Sequence, residues 1–127
     1  MNIIKKAYCR IFQFCFWALY PLLPYREPEL IENGLQGLCP IIKKENKHHP
    51  LIVTDQGVRK VGLLDKVTSA LDEANIVYST YSDVVANPTT DNVEKALVKY
   101  KEEGCDSIIA IGGGSSIDTA KALGARI

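Results

Sequence analysis

The sequence predicts an α/β fold, a parallel sheet whose strands are joined by crossover helices. Three observations carry that expectation. Short apolar runs at residues 51–54, 76–81 and 107–111 alternate with amphipathic stretches of helical period. The segments between the runs are long enough to hold a helix each, which parallel strands require. The third run enters Gly112-Gly113-Gly114-Ser115 and then a further helical stretch.

Composition sets the bounds. At 127 residues the chain has material for one compact domain. Lysine plus arginine total 15 and aspartate plus glutamate total 15, so the basic surplus of a nucleic-acid binder is missing and no such partner is expected. With 46% hydrophobic and 24% charged residues, the chain is globular rather than disordered. Cys9, Cys15, Cys39 and Cys105 show no Cys-x-x-Cys spacing. Neither a zinc site nor a disulfide framework is expected, and a cytoplasmic location is the default.

Residues 1–26 differ from the rest and are set apart as a leading aromatic helix or extension. They hold Lys5, Lys6, Arg10 and Arg26 with no acidic residue, together with all three phenylalanines and the only tryptophan. The apolar run 11–23 is too short for a membrane span, which needs about 20 residues, and Pro21 interrupts it. A basic start and an apolar run suit a signal peptide, but Tyr20-Pro21-Leu22-Leu23-Pro24-Tyr25 offers no small-residue cleavage site. A helix lying on a membrane surface fits lysines beside aromatics. The favoured reading is a helix that packs onto a body or a partner subunit, where it would suit a homodimer contact, and a membrane partner is disfavoured.

The body, 27–127, begins with a capped loop or short helical turn over 28–37 and a short helix over 39–46 with a lysine-rich outer face. His48 and His49 follow in that charged stretch and read as a solvated face, since adjacent side chains cannot readily share a metal. The first strand is 51–54. Gly57 and Gly62 break the chain before a helix marked by Leu64, Val67, Leu71 and Ala74, which Asn75 closes. The second strand is 76–81, and Asn87-Pro88-Thr89 is a loop, because proline keeps the preceding residue out of the helical region. Asp91 and Glu94 are spaced as a capping box for a helix whose apolar stripe is Val93, Ala96, Leu97 and Tyr100, ending at Gly104. The third strand, 107–111, is apolar enough to be buried on both faces. The last helix is 117–125.

The glycine loop is the chemically informative feature. Glycines let a backbone approach a ligand closely, and the following helix aims unpaired amides and a positive dipole end at the loop. A phosphate or pyrophosphate is held well there. Ser115 and Ser116 add hydroxyls, and Asp118 lies in the first helical turn. The competing reading is a tight strand-to-helix turn with Ser115 as its N-cap. Neither the Walker pattern nor the usual dinucleotide fingerprint is met, because Ile117 stands where each needs glycine. Asp55 ends the first strand, on the edge where open α/β sheets bind ligands. A carboxylate there can accept both hydroxyls of an adenosine ribose and would repel a 2′-phosphate, which favours NAD over NADP. An aspartate after a strand is otherwise a turn former.

Val53-Thr54-Asp55, Asn87-Pro88-Thr89 and Gly112-Gly113-Gly114-Ser115-Ser116-Ile117-Asp118-Thr119-Ala120-Lys121, in that order, resemble the iron-containing alcohol dehydrogenases. Their superfamily also includes glycerol dehydrogenase and dehydroquinate synthase. The resemblance implies a Rossmann-like amino-terminal domain of the dehydroquinate synthase type. It implies an NAD-dependent oxidoreductase interconverting small alcohols and aldehydes or ketones. It places Gly113, Gly114 and Ser115 at the pyrophosphate, Asp55 at the adenosine ribose, Asn87 beside the cofactor and Asp118 near its inner half, with Gly112 and Ser116 of the same loop also counted as cofactor-binding. It further implies that these 127 residues are an amino-terminal fragment, with a partial dinucleotide-binding domain at 27–127. The helical domain that supplies an aspartate and three histidines to a divalent metal, iron or zinc, is expected to be absent. No catalytic or metal-ligating residue is then expected here, and the alternative is a non-catalytic nucleotide-binding module.

Overall fold

The computed structural model describes residues 3–19, 28–32 and 34–127. The proline-rich stretch read above at 20–25 lies outside them. The chain divides into two units, Met1–Leu30 and Ile31–Ile127. Among the described residues the first contains helix α1 (Ile3–Leu19), along which residues 8–19 are exposed. No helix among the described residues is long and apolar enough to cross a membrane.

The second unit opens with a 3-10 turn, Gly34–Gly37, and helix α2 (Leu38–Lys44). It continues through β1 (Pro50–Asp55), α3 (Gln56–Lys60), α4 (Leu63–Glu73), β2 (Ser79–Val84), α5 (Thr90–Glu102), β3 (Ser107–Ala110) and α6 (Gly114–Gly124). The strands form one parallel sheet in the order β2-β1-β3. Residues 50–54 of the central strand are fully buried, and their alternation sorts the core into two layers. Leu51 and Val53 join Tyr81, Val84, Ala96, Leu97, Tyr100, Ala120 and Leu123, beneath α5 and α6. Ile52 joins Ile42, Leu64, Val67, Leu71 and Ile76, beneath α2 and α4. The fold is therefore the expected α/β arrangement, with helices on both faces of a parallel sheet.

Three helices end on the same device. After α2, α4 and α5 the chain turns through a left-handed residue, Asn46 (φ 53°), Asn75 (φ 54°) or Gly104 (φ 65°). The next amide reaches back to the helix: Lys47 to Ile42 O, Ile76 to Leu71 O and Cys105 to Tyr100 O, each 2.9 Å. This is the Schellman closure, and Ile76 with Leu71 and Cys105 with Tyr100 share a core layer as it requires.

Several expectations need correcting. The second strand is displaced to Ser79–Val84, because the amide of Ile76 is engaged in closing α4 and cannot join the sheet. The third strand is not buried on both faces: residues 107–109 are half-buried and Ala110 is exposed, since β3 is an edge of the sheet. Asp91 does not cap α5. The cap position is Thr89, two residues earlier, and the carbonyl of Thr89 accepts from the amides of Asn92 and Val93, so no capping box forms. Glu94 instead pairs with Arg126. Gly57 lies inside the short helix α3, and only Gly62, at φ 72°, breaks the chain. His49 is half-buried, its Nε2 2.9 Å from Ser79 Oγ, while its amide and that of His48 donate to Asp106. These bonds pin the entrances of β1, β2 and β3 together. Ser115 is not an N-cap; the cap position is Gly113 and Ser115 is already helical.

Candidate functional site

At the carboxyl ends of the strands, the connection leaving β1 runs to α3 and α4, and that leaving β3 runs to α6 on the other face. The crevice between such diverging connections is where open α/β sheets take ligands. Asp55 closes β1 there. Its Oδ1 accepts from the amide of Val58 at 3.0 Å, capping α3, and its Oδ2 accepts from Ser116 Oγ at 3.1 Å. The Val58 amide, more than the opposing effect of burial, holds this carboxyl below the usual carboxylate range; Ser116 and the Gly57 amide add to it. Asp55 is thus a fixed anion tying the first turn of α3 to the first turn of α6.

The glycines have unequal reasons. Gly112 has φ 141°, and a Cβ there would lie 2.6 Å from Ser116 Oγ and 2.9 Å from Asp55 Oδ2. The chain's own packing therefore demands glycine at that position. Gly113 and Gly114 have no such need, for a Cβ on either would meet nothing within 4 Å. They bare the start of α6, which no side chain caps. Amides at an uncapped helix start, with open space before them, are an anion site.

The crevice opens into a cavity of about 340 Å³ lined by Asp55, Gln56, Gly57, Val84, Val85, Ala86 and Ser115. Ser115 is half-buried at its edge and its carbonyl accepts from Thr119 Oγ1 at 2.8 Å. Ser116 is fully buried, with its hydroxyl directed at Asp55 rather than outward. Asp55, Gly112, Ser115 and Ser116 are therefore brought together, with Gly113 and Gly114 above them. Asp118 is not part of this cluster. It is exposed and lines a separate groove of about 490 Å³ between α5 and α6, with Pro88, Thr89, Thr90 and Arg126 among its other walls. Asn87, left-handed at φ 56°, joins the two regions, following Ala86 of the cavity and preceding Pro88 of the groove.

Two contributors were not legible beforehand. Val84, Val85 and Ala86 form a wall only because β2 lies three residues later than its apolar run suggests. Asn92 holds that wall: its Nδ2 donates to Asp83 O at 2.8 Å and to Tyr81 Oη at 2.9 Å. A lone asparagine within a helix carries no sequence signal of such a clamp. Among the described residues, no three His, Cys, Asp or Glu side chains are placed to hold a metal ion.

Fold and crevice together define a Rossmann-like α/β unit with an uncapped helix start at the carboxyl edge of its sheet. The profile of the iron-containing alcohol dehydrogenases matches residues 31–127, and the chain belongs to that family. It is 48% identical over 82 residues to alcohol dehydrogenase 4 of Schizosaccharomyces pombe, covering 65% of this chain and 19% of that protein. Lactaldehyde reductase of Escherichia coli is 41% identical over 92 residues, covering 72% of this chain and 24% of the relative. Among solved structures, the NADH-dependent butanol dehydrogenase A of Thermotoga maritima superposes with a TM-score of 0.70 at 27% identity, over 80% of this chain and 26% of its own. The chain thus spans about a fifth to a quarter of the proteins it matches.

Proposed function

We propose that this chain is the NAD-binding part of an oxidoreductase that interconverts small alcohols with aldehydes or ketones. The observation that carries the reading is the bare helix start at Gly113 and Gly114, set beside the fixed carboxylate of Asp55. The residues fit the dinucleotide on two grounds: both glycines leave space that the chain itself does not use, and the adjoining cavity has apolar walls with one anionic corner. The amides of Gly114 and Ser115 hold the pyrophosphate. Asp55 accepts from the ribose hydroxyls and disfavours a 2′-phosphate, so NAD is preferred to NADP. Ser116 is a positioning residue that orients Asp55, and Asn87 and Asp118 border the inner end of the cofactor. Bound there, NAD supplies the hydride acceptor for alcohol oxidation. The family's metal does not fit the described residues, and no step is assigned to it.

Titration of NADH fluorescence tests the reading. The chain is expected to bind NADH with a Kd in the micromolar range and NADPH at least tenfold more weakly. Gly113→Val and Gly114→Val should each weaken NADH binding at least tenfold with the melting temperature nearly unchanged, since their side chains enter open space. Gly112→Ala should instead lower stability by about 2 kcal/mol, because it strains the backbone and crowds Asp55. NADH binding unaffected by either valine would overturn the assignment.

A further inference from the structure

The nucleotide reading leaves α1 unused. Tyr8, Ile11, Phe12, Phe14, Phe16, Trp17 and Leu19 are all exposed, Trp17 to 73%. At 100° per residue, the positions of Phe14, Ile11, Tyr8, Leu19, Phe12 and Phe16 sweep an arc of about 200°. Arg10 and Gln13 share the opposite sector with Trp17. A helix that docks on one neighbouring protein face needs an apolar stripe of roughly 100° or somewhat more. An arc near twice that width suits a continuous apolar medium rather than a single protein groove.

Charge identifies that medium. Residues 1–26 carry four cations and no anion, whereas residues 27–127 carry 11 basic and 15 acidic residues. Two such helices from two copies of the chain would set like charges together. An anionic lipid surface offers both complements at once, phosphates for the excess of cations in residues 1–26 and an acyl boundary for the aromatic arc. At 17 residues the helix is about 25 Å long, short of the ~30 Å hydrocarbon core. It must lie in the surface rather than cross it. We propose that α1 is an interfacial helix that docks this chain onto an anionic lipid bilayer.

The only tryptophan, Trp17, lies opposite that arc, so the probe is Tyr8→Trp in a Trp17→Phe background, whose emission reports on the apolar face of α1. Vesicles of phosphatidylcholine with phosphatidylglycerol, added to the whole chain, should shift that emission to the blue. Vesicles of phosphatidylcholine alone should bind on the order of a hundredfold more weakly, the loss expected for three cations at a surface. Lys6→Glu combined with Arg10→Glu should lower binding to anionic vesicles at least a hundredfold. Phe12→Ser combined with Phe16→Ser should abolish the shift although every cation remains. Emission unmoved by anionic vesicles, equal binding to both vesicle types, or a blue shift that follows chain concentration without lipid would each overturn the proposal. The last result would assign α1 to a second copy of the chain.

Discussion

Asp55 shows how one residue can be legible in position and not in its bonds. Its place after a β-branched run marks the ligand edge of the sheet, and both sequence readings, turn former and ribose contact, concern real properties of the side chain. The structure makes it an N-cap for α3 and the acceptor of Ser116 from 61 residues away. That second bond was hidden because the burial of Ser116 follows from where α6 starts, and neighbouring residues do not reveal it. The consequence is measurable in acid. A carboxylate whose folded pKa is depressed contributes stability that is complete above its unfolded value, about 3.9, and is lost as pH falls through the folded value. The stability difference between the chain and Asp55→Asn should therefore be constant near neutrality and shrink below about pH 4. Comparing the two proteins removes the parallel effect of Asp106. Burial raises that carboxyl, but the His48 and His49 amides, Ser107 and Lys47 together bring it below its ordinary value. A difference independent of pH down to 2.5 would mean that the Asp55 bonds add nothing to the folded state.

At the scale of elements, the helices were readable and the strands less so. Apolar periodicity located α4 and α5, and Asn75 and Gly104 marked their ends, since left-handed closure needs residues of that type. The boundary of the second strand failed for a related reason. An apolar residue that closes a helix looks the same in sequence as one that opens a strand, and Ile76 does the former. The shift of β2 brings Tyr81 under α5, where its hydroxyl accepts from Asn92 Nδ2 and donates to Asn92 O at 3.1 Å. Burial first, and the charge of Asp83 second, push the Tyr81 phenol up, so it stays protonated and able to donate at neutral pH. Replacing Asn92 with alanine leaves Asp83 O and Tyr81 Oη short of a donor, at a cost of about 2 kcal/mol. Calorimetry should find the melting temperature of Asn92→Ala lower by roughly 8 °C. NADH binding should weaken as well, because the wall formed by Val84, Val85 and Ala86 continues from the clamped strand. An Asn92→Ala protein that melts with the parent would show that α5 and β2 are held by apolar contact alone.

Over the whole molecule, alternation of strand and helix predicted a parallel sheet but not its order. That β1 is central and β3 an edge depends on which strands pair, and an apolar run of four or five residues is compatible with either place. The pairing matters for function because it sets Asp55 and the glycine loop on neighbouring strands, 57 residues from Asp55 to Gly112 collapsing to one crevice. Every residue of that crevice belongs to the unit Ile31–Ile127, as do both core layers. The aromatic helix belongs to the other unit. Two activities proposed for separate units should be separable by deletion. Removing residues 1–30 is expected to leave the NADH dissociation constant within about threefold of the parent value and to abolish binding to anionic vesicles. If vesicle binding survived the deletion, the lipid contact would lie on the α/β unit. If NADH affinity fell tenfold in a deletion variant that still melts cooperatively, the leading helix would have to contribute to the crevice, and the two units could no longer be treated as independent.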